Sequence, residues 1–162
     1  MTFVLRYLWL IPLVVHAGYF CATIPYFPQQ VGEPVSSAFP RFVFSVEWIF
    51  IVLISNITLF WVWVKMPRFS DRVLSVPNRE YWFQSKKNRA ELVTRLQNLM
   101  ETILVLVNIF LLGIFQWVYQ SNVLSPVLLV PQVVIIGGFV AAPLSLILIY
   151  MLIFIRSLRK KL

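Results

Sequence analysis

The chain has 162 residues, of which 60% are hydrophobic and 12% charged, and its mean hydropathy is +0.83. A water-soluble domain carries about twice that charged fraction, so one aqueous core is excluded and lipid is the expected solvent. The net charge of +8 does not point to nucleic acid. The basic residues gather in Lys65–Arg95 and Arg156–Lys161, beside apolar runs, where they act as topology and headgroup signals.

The first apolar run, Thr2–Cys21, is broken only by Arg6 and His16. Twenty helical residues cover about 30 Å, the hydrocarbon thickness. A cleaved leader is the competing reading, but large aromatics and the lack of a closing small-x-small pattern favour a retained span. Thr23–Arg41 contains Pro25, Pro28, Pro34 and Pro40 with Gly32, which predicts an extended, turn-rich loop. Phe42–Val64 is the second span, with Trp48, Trp61 and Trp63 toward its ends. The polar stretch Lys65–Asn98 follows. Ala90, Leu92, Val93 and Leu96 recur among its charges, predicting a surface helix that runs into the third span, Leu99–Tyr119. After a polar turn, Gln120–Pro126, the fourth span Val127–Ile155 is longer than needed. It is expected to tilt, protrude, or bend at Pro131 or Pro143.

The expectation is one all-α membrane domain of four helices. The basic residues place the 65–98 loop and the C-terminus on the cytoplasmic side, and four spans then put the N-terminus there too. Loops 23–41 and 120–126 face outward.

Asn56 lies nine residues from Lys65, and Asn108 ten from Asn98, so both sit about 13–15 Å deep. They are expected to serve as packing glue between antiparallel helices. Arg6 and Glu101 fall at similar depth, and pairing would offset the desolvation of both. Glu47, near the outer end of span two, can reach water or His16. His16 is the lone histidine. Haem or chlorophyll ligation through its ring is the minor reading, and a hydrogen bond to a neighbouring helix the major one. Gly137 and Gly138 precede Ala141 and Ala142 by four residues, two small-xxx-small faces that allow close helix approach within the chain or to another subunit. There is no phosphate loop, metal-ligand cluster or activated nucleophile, so no enzymatic activity is expected.

The polar loop carries Pro77-Asn78-Arg79-Glu80-Tyr81-Trp82, then Lys86, Lys87 and Arg89. Aromatic rings among basic groups suit headgroup level and contact with anionic lipid or a partner. Pro77-Asn78 reads as a helix start with Asn78 as cap and Glu80 in the first turn. This loop resembles the "LPN-R/K-D/E-YW" loop of a bacterial membrane family of unknown function related to the SdpI-type immunity proteins. Ile24-Pro25-Tyr26-Phe27 and Gly32-Glu33-Pro34 are similar to that family's outer loop, with Tyr26 where the family has histidine. The resemblance implies a multi-helix protein of the bacterial inner membrane, some relatives of which are linked to toxin immunity and signalling, and it implies no reaction. Two functions follow as expectations. One is a non-catalytic accessory or scaffolding subunit docking membrane-protein partners. The other is an autonomous SdpI-like immunity or signalling protein. A small transporter component comes third.

Overall fold

The computed structural model describes residues 10–32, 39–74, 76–124, 126 and 128–159. The fold is all-α, its only sheet among the described residues being a pairing of two-residue strands. In chain order the elements are α1 (Leu10–Thr23), a 3-10 turn (Ile24–Tyr26), β1 (Gln30–Val31), β2 (Phe39–Pro40), α2 (Arg41–Lys65), a second 3-10 turn (Met66–Arg68), α3 (Arg79–Phe83), α4 (Lys86–Asn122), α5 (Gln132–Val134), a π-helical stretch (Ile135–Ala141) and α6 (Ala142–Arg159). Among the described residues three helices are long and apolar enough to cross a membrane: Arg41–Arg68, Lys86–Asn122 and Gln132–Leu158. The helix Leu10–Tyr26 is apolar but shorter, and residues 2–9 of the expected first span lie outside the described residues.

α4 is the axis of the molecule. The helix expected to begin at the surface and the third span are one uninterrupted rod of 37 residues, about 55 Å long. That is nearly twice the hydrocarbon thickness. Its start is capped by Ser85, whose Oγ accepts from the Asn88 backbone N–H at 3.1 Å. The helix ends at Asn122, three residues beyond the expected limit. α1, α2, α3, the π-helical stretch and α6 all pack on α4.

The last span starts at Gln132 rather than Val127. Pro131 begins this rod instead of bending it: it holds extended φ and ψ at the cap, and its carbonyl accepts from Val134 and Ile135. Pro143 leaves its mark upstream. A proline offers no N–H to the carbonyl four residues back and crowds it. The backbone before it is widened, with the Ala142 N–H bonding the Gly137 carbonyl five residues back.

Two cores form along α4. At one end Phe115 is fully buried, with Phe20 and Trp48 rings 5.4 Å away and Phe27 and Tyr19 5.8 Å away. The proline-rich loop closes this end as a 3-10 turn and an antiparallel strand pair, Gln30 opposite Pro40 and Val31 opposite Phe39. Arg41 pins it by donating to the carbonyls of Phe27 at 3.0 Å and Pro25 at 3.3 Å. At the other end Trp82, Leu92 and Leu158 form a smaller core under the polar loop.

Candidate functional site

Asn56 on α2 meets Asn108 on α4, and Glu101 meets Trp63, along the seam between these two helices. These helices are antiparallel, so successive partners count down on one and up on the other. Glu101, Asn108 and Phe115 stand seven residues apart on α4, opposite Trp63, Asn56 and Trp48 on α2. Seven residues are two turns, so the three levels lie about 10 Å apart.

The middle level brings Asn56 and Asn108 together as a reciprocal amide pair. Asn56 Nδ2 donates to Asn108 Oδ1 at 3.0 Å, and Asn108 Nδ2 donates to Asn56 Oδ1 at 2.8 Å. Each also donates to the carbonyl four residues back, Val52 at 2.8 Å and Leu104 at 2.9 Å. All four amide N–H groups are thereby satisfied at a buried position, which a site without water requires.

Below it, Trp63 Nε1 donates to Glu101 Oε1 at 3.1 Å, and Gln97 donates to the Trp63 carbonyl at 3.2 Å. The expected Arg6 partner lies outside the described residues. The indole contact escaped the sequence reading, which ranked Trp63 as an interfacial anchor. The seven-residue spacing from Asn108 to Glu101 and from Asn56 to Trp63 was the available signal.

Above it, Trp48 Nε1 donates to His16 Nε2 at 2.9 Å, tying α1 to α2. The indole N–H is donor-only, so Nε2 is the unprotonated nitrogen and the ring proton rests on Nδ1. The Nε2 lone pair that a porphyrin metal would take is thus already engaged. Nδ1 is buried without a closed hydrogen bond. The partner on α2 is Trp48, whereas Glu47 is exposed.

Two glutamines treat an extended backbone as a β-ladder treats its neighbour. Gln120 Oε1 accepts from the Val130 N–H at 2.7 Å while its Nε2 donates to the Val130 carbonyl at 2.7 Å. Gln116 donates to the Leu128 carbonyl at 2.9 Å and to Gln120 Oε1. The segment ahead of α5 would otherwise present unsatisfied peptide groups, which are costly in an apolar setting.

The polar loop is a folded cap. Asn78 precedes α3 with φ of 54°, the left-handed conformation that asparagine tolerates. Its side chain does not cap the helix as expected. It reaches across the chain and donates to the Leu158 carbonyl at 3.2 Å, because the left-handed backbone turns it away from the α3 amides. Trp82 is wholly buried, with the Arg95 guanidinium 5.6 Å from its ring centre, so it cannot serve as a headgroup anchor. Tyr81 packs against Trp82 edge-on, and the Tyr81 carbonyl accepts from Asn88 at 2.8 Å. Arg89, expected to dock lipid or partner, is committed internally. It donates to Asp71 Oδ1 at 2.8 Å and to the carbonyls of Phe69 at 2.7 Å and Pro67 at 3.3 Å. Arg79 donates to the Asp71 carbonyl at 3.2 Å and lies 5.8 Å from the Phe83 ring centre. Lys86, Lys87 and Glu80 remain exposed, and Pro77 is half-buried at the turn into α3.

The small residues divide in an unexpected way. Gly113 on α4 provides the close approach: a Cβ there would collide with Phe139 Cβ. At Gly137 a Cβ would meet nothing within 4 Å, and at Gly138 only Val134 at 4.0 Å. Ala141 and Ala142 are exposed. Their face is turned away from the rest of the described chain.

Among the described residues no three His, Cys, Asp or Glu side chains are grouped to hold a metal ion. The chemistry this arrangement supports is positional: amide, indole and carboxylate groups fix helix register. No protein-family model, curated protein or solved structure matches the chain.

Proposed function

We propose that this membrane protein is a non-catalytic accessory subunit of a larger complex in a bacterial inner membrane, with the polar loop and C-terminus facing the cytoplasm. The observation carrying the reading is the open small-residue face at Gly137 and Gly138 on a rod that is otherwise apolar and little of which is fully buried. A helix of another subunit can approach such a face closely, and backbone proximity is what drives association in lipid. The spending of the deep polar groups on helix register supports it further, since a transport path or catalytic centre needs polar groups left available to substrate. Lys86 and Lys87 supply a basic surface for a partner or anionic headgroups on the same side.

The test is purification in mild detergent from native membranes, comparing the unaltered chain with Gly137→Leu/Gly138→Leu. The paired substitution should leave the isolated chain's unfolding transition in place, because among the described residues a Cβ meets nothing within 4 Å at Gly137 and only Val134 at Gly138, and should release it from a stoichiometric assembly. A small monomer or homo-oligomer from the unaltered chain would refute the subunit reading. The second reading, an autonomous SdpI-like immunity or signalling protein, is favoured by the loop motif at 76–82. It predicts protection from a membrane-active toxin by the chain alone.

A further inference from the structure

The stretch where α4 and α6 leave the apolar region holds a groove of about 160 Å³ lined by Arg95, Asn98, Tyr150, Ile153, Phe154 and Ser157. We infer that it seats the headgroup and glycerol region of one anionic phospholipid.

Its position along the helices defines the depth. Asn98 is the last residue before the apolar run of α4, and Ile155 the last before Arg156 on the rod, so the groove straddles the boundary between hydrocarbon and headgroups. Its lining is graded to match. Arg95, Asn98 and Ser157 stand at the polar end, and Ile153 and Phe154 line the groove toward the hydrocarbon, with Tyr150 about 10 Å below Ser157 along the helix. Leu146, Ile149 and Leu152 are exposed on the neighbouring surface, where acyl chains would run. An occupant must therefore be amphipathic and approach from the bilayer.

The charge of the site selects an anion. Arg95 is held in place by Glu91, whose Oε1 accepts from Nε at 3.2 Å and from NH2 at 2.9 Å, while NH1 lies 3.4 Å from Ser157 Oγ. A guanidinium has five N–H donors, so two remain to meet a phosphate oxygen with a geometry already fixed. Glu91 sets one carboxylate against Arg95, and Arg156, next to Ser157 in the chain but outside the groove lining, is exposed and ion-paired to no carboxylate among the described residues, so it adds positive charge at the rim. The Asn98 side chain is exposed and enters no hydrogen bond within the described residues; only its backbone carbonyl is used, by Thr102.

This inference rests on the membrane placement of α4 and α6 and is independent of subunit assembly. The purified full chain is titrated with phosphatidylglycerol or phosphatidylcholine in detergent, and retained lipid is counted by native mass spectrometry. One phosphatidylglycerol should be retained about tenfold more tightly than phosphatidylcholine. Asn98→Asp/Arg156→Gln, which breaks no internal bond among the described residues, should reduce that preference to about threefold or less. Lys86→Gln/Lys87→Gln should preserve it. Equal retention of both lipids by the unaltered chain overturns the proposal. So does a preference that survives Asn98→Asp/Arg156→Gln and disappears with the lysine pair, since the lipid would then sit on the loop. Neither result bears on the assembly probed at Gly137 and Gly138.

Discussion

Replacing Asn56 by leucine tests whether the amide pair holds α2 and α4 in register. The substitution removes two reciprocal hydrogen bonds at 3.0 and 2.8 Å and strands Asn108 Oδ1 and one of its N–H groups in a fully buried position. Interhelical hydrogen bonds in membranes average about 0.6 kcal/mol and reach about 1.7, while a stranded buried polar group costs about 1–3 kcal/mol. The single variant should lose about 1–3 kcal/mol, roughly 5- to 150-fold in the folded-to-unfolded ratio. Asn108→Leu should behave alike. The double variant should recover much of that loss, because exchanging both partners for apolar side chains of similar size leaves nothing stranded. Unfolding titrations of the four proteins in mixed micelles, combined as a double-mutant cycle, give the coupling directly. Single effects that sum to the double effect within about 0.5 kcal/mol would refute the reasoning.

Three further expectations follow from the packing. Gly113→Ala should destabilise the chain by about 1–3 kcal/mol in the same titration, since its Cβ collides with Phe139, whereas Gly137→Ala should be neutral or slightly stabilising. Trp82→Ala empties the centre of the loop-end core, at a cost of about 3–5 kcal/mol, so limited proteolysis should cut within 66–85 faster while membrane insertion is kept; unchanged cleavage would contradict the burial. Asn78→Gly keeps the left-handed backbone while losing the side-chain bond to Leu158, so in the same proteolysis Asn78→Ala, which adds backbone strain to that loss, should open the loop more, by about 1 kcal/mol.

Much of this architecture was legible along the chain. Apolar run length located the cores of α2, α4 and the final rod, and four prolines marked the extended loop before Arg41. Depth counted from Lys65 and Asn98 brought Asn56 and Asn108 to one level, because rise per residue is constant and two antiparallel helices crossing one slab must share a midplane. These are properties of composition and period, which each segment carries by itself.

The remainder belongs to the relation between segments. Whether Glu101 meets Trp63, and His16 meets Trp48, depends on how each helix is rotated about its axis, which the sum of packing along the whole seam decides. The same holds for glycine. The small-xxx-small spacing pointed to Gly137 and left Gly113 unmarked, yet of the two only Gly113 stands against another helix among the described residues, where Phe139 lies. In the loop, a left-handed Asn78 sends its amide to Leu158, 80 residues away, and Trp82 follows inward. Sequence alone marked which stretches are long and apolar and which polar groups fall in the middle of them. Tertiary structure alone decided what those groups hold, because a hydrogen bond or a close contact needs two surfaces to be oriented, and one segment's pattern contains only its own.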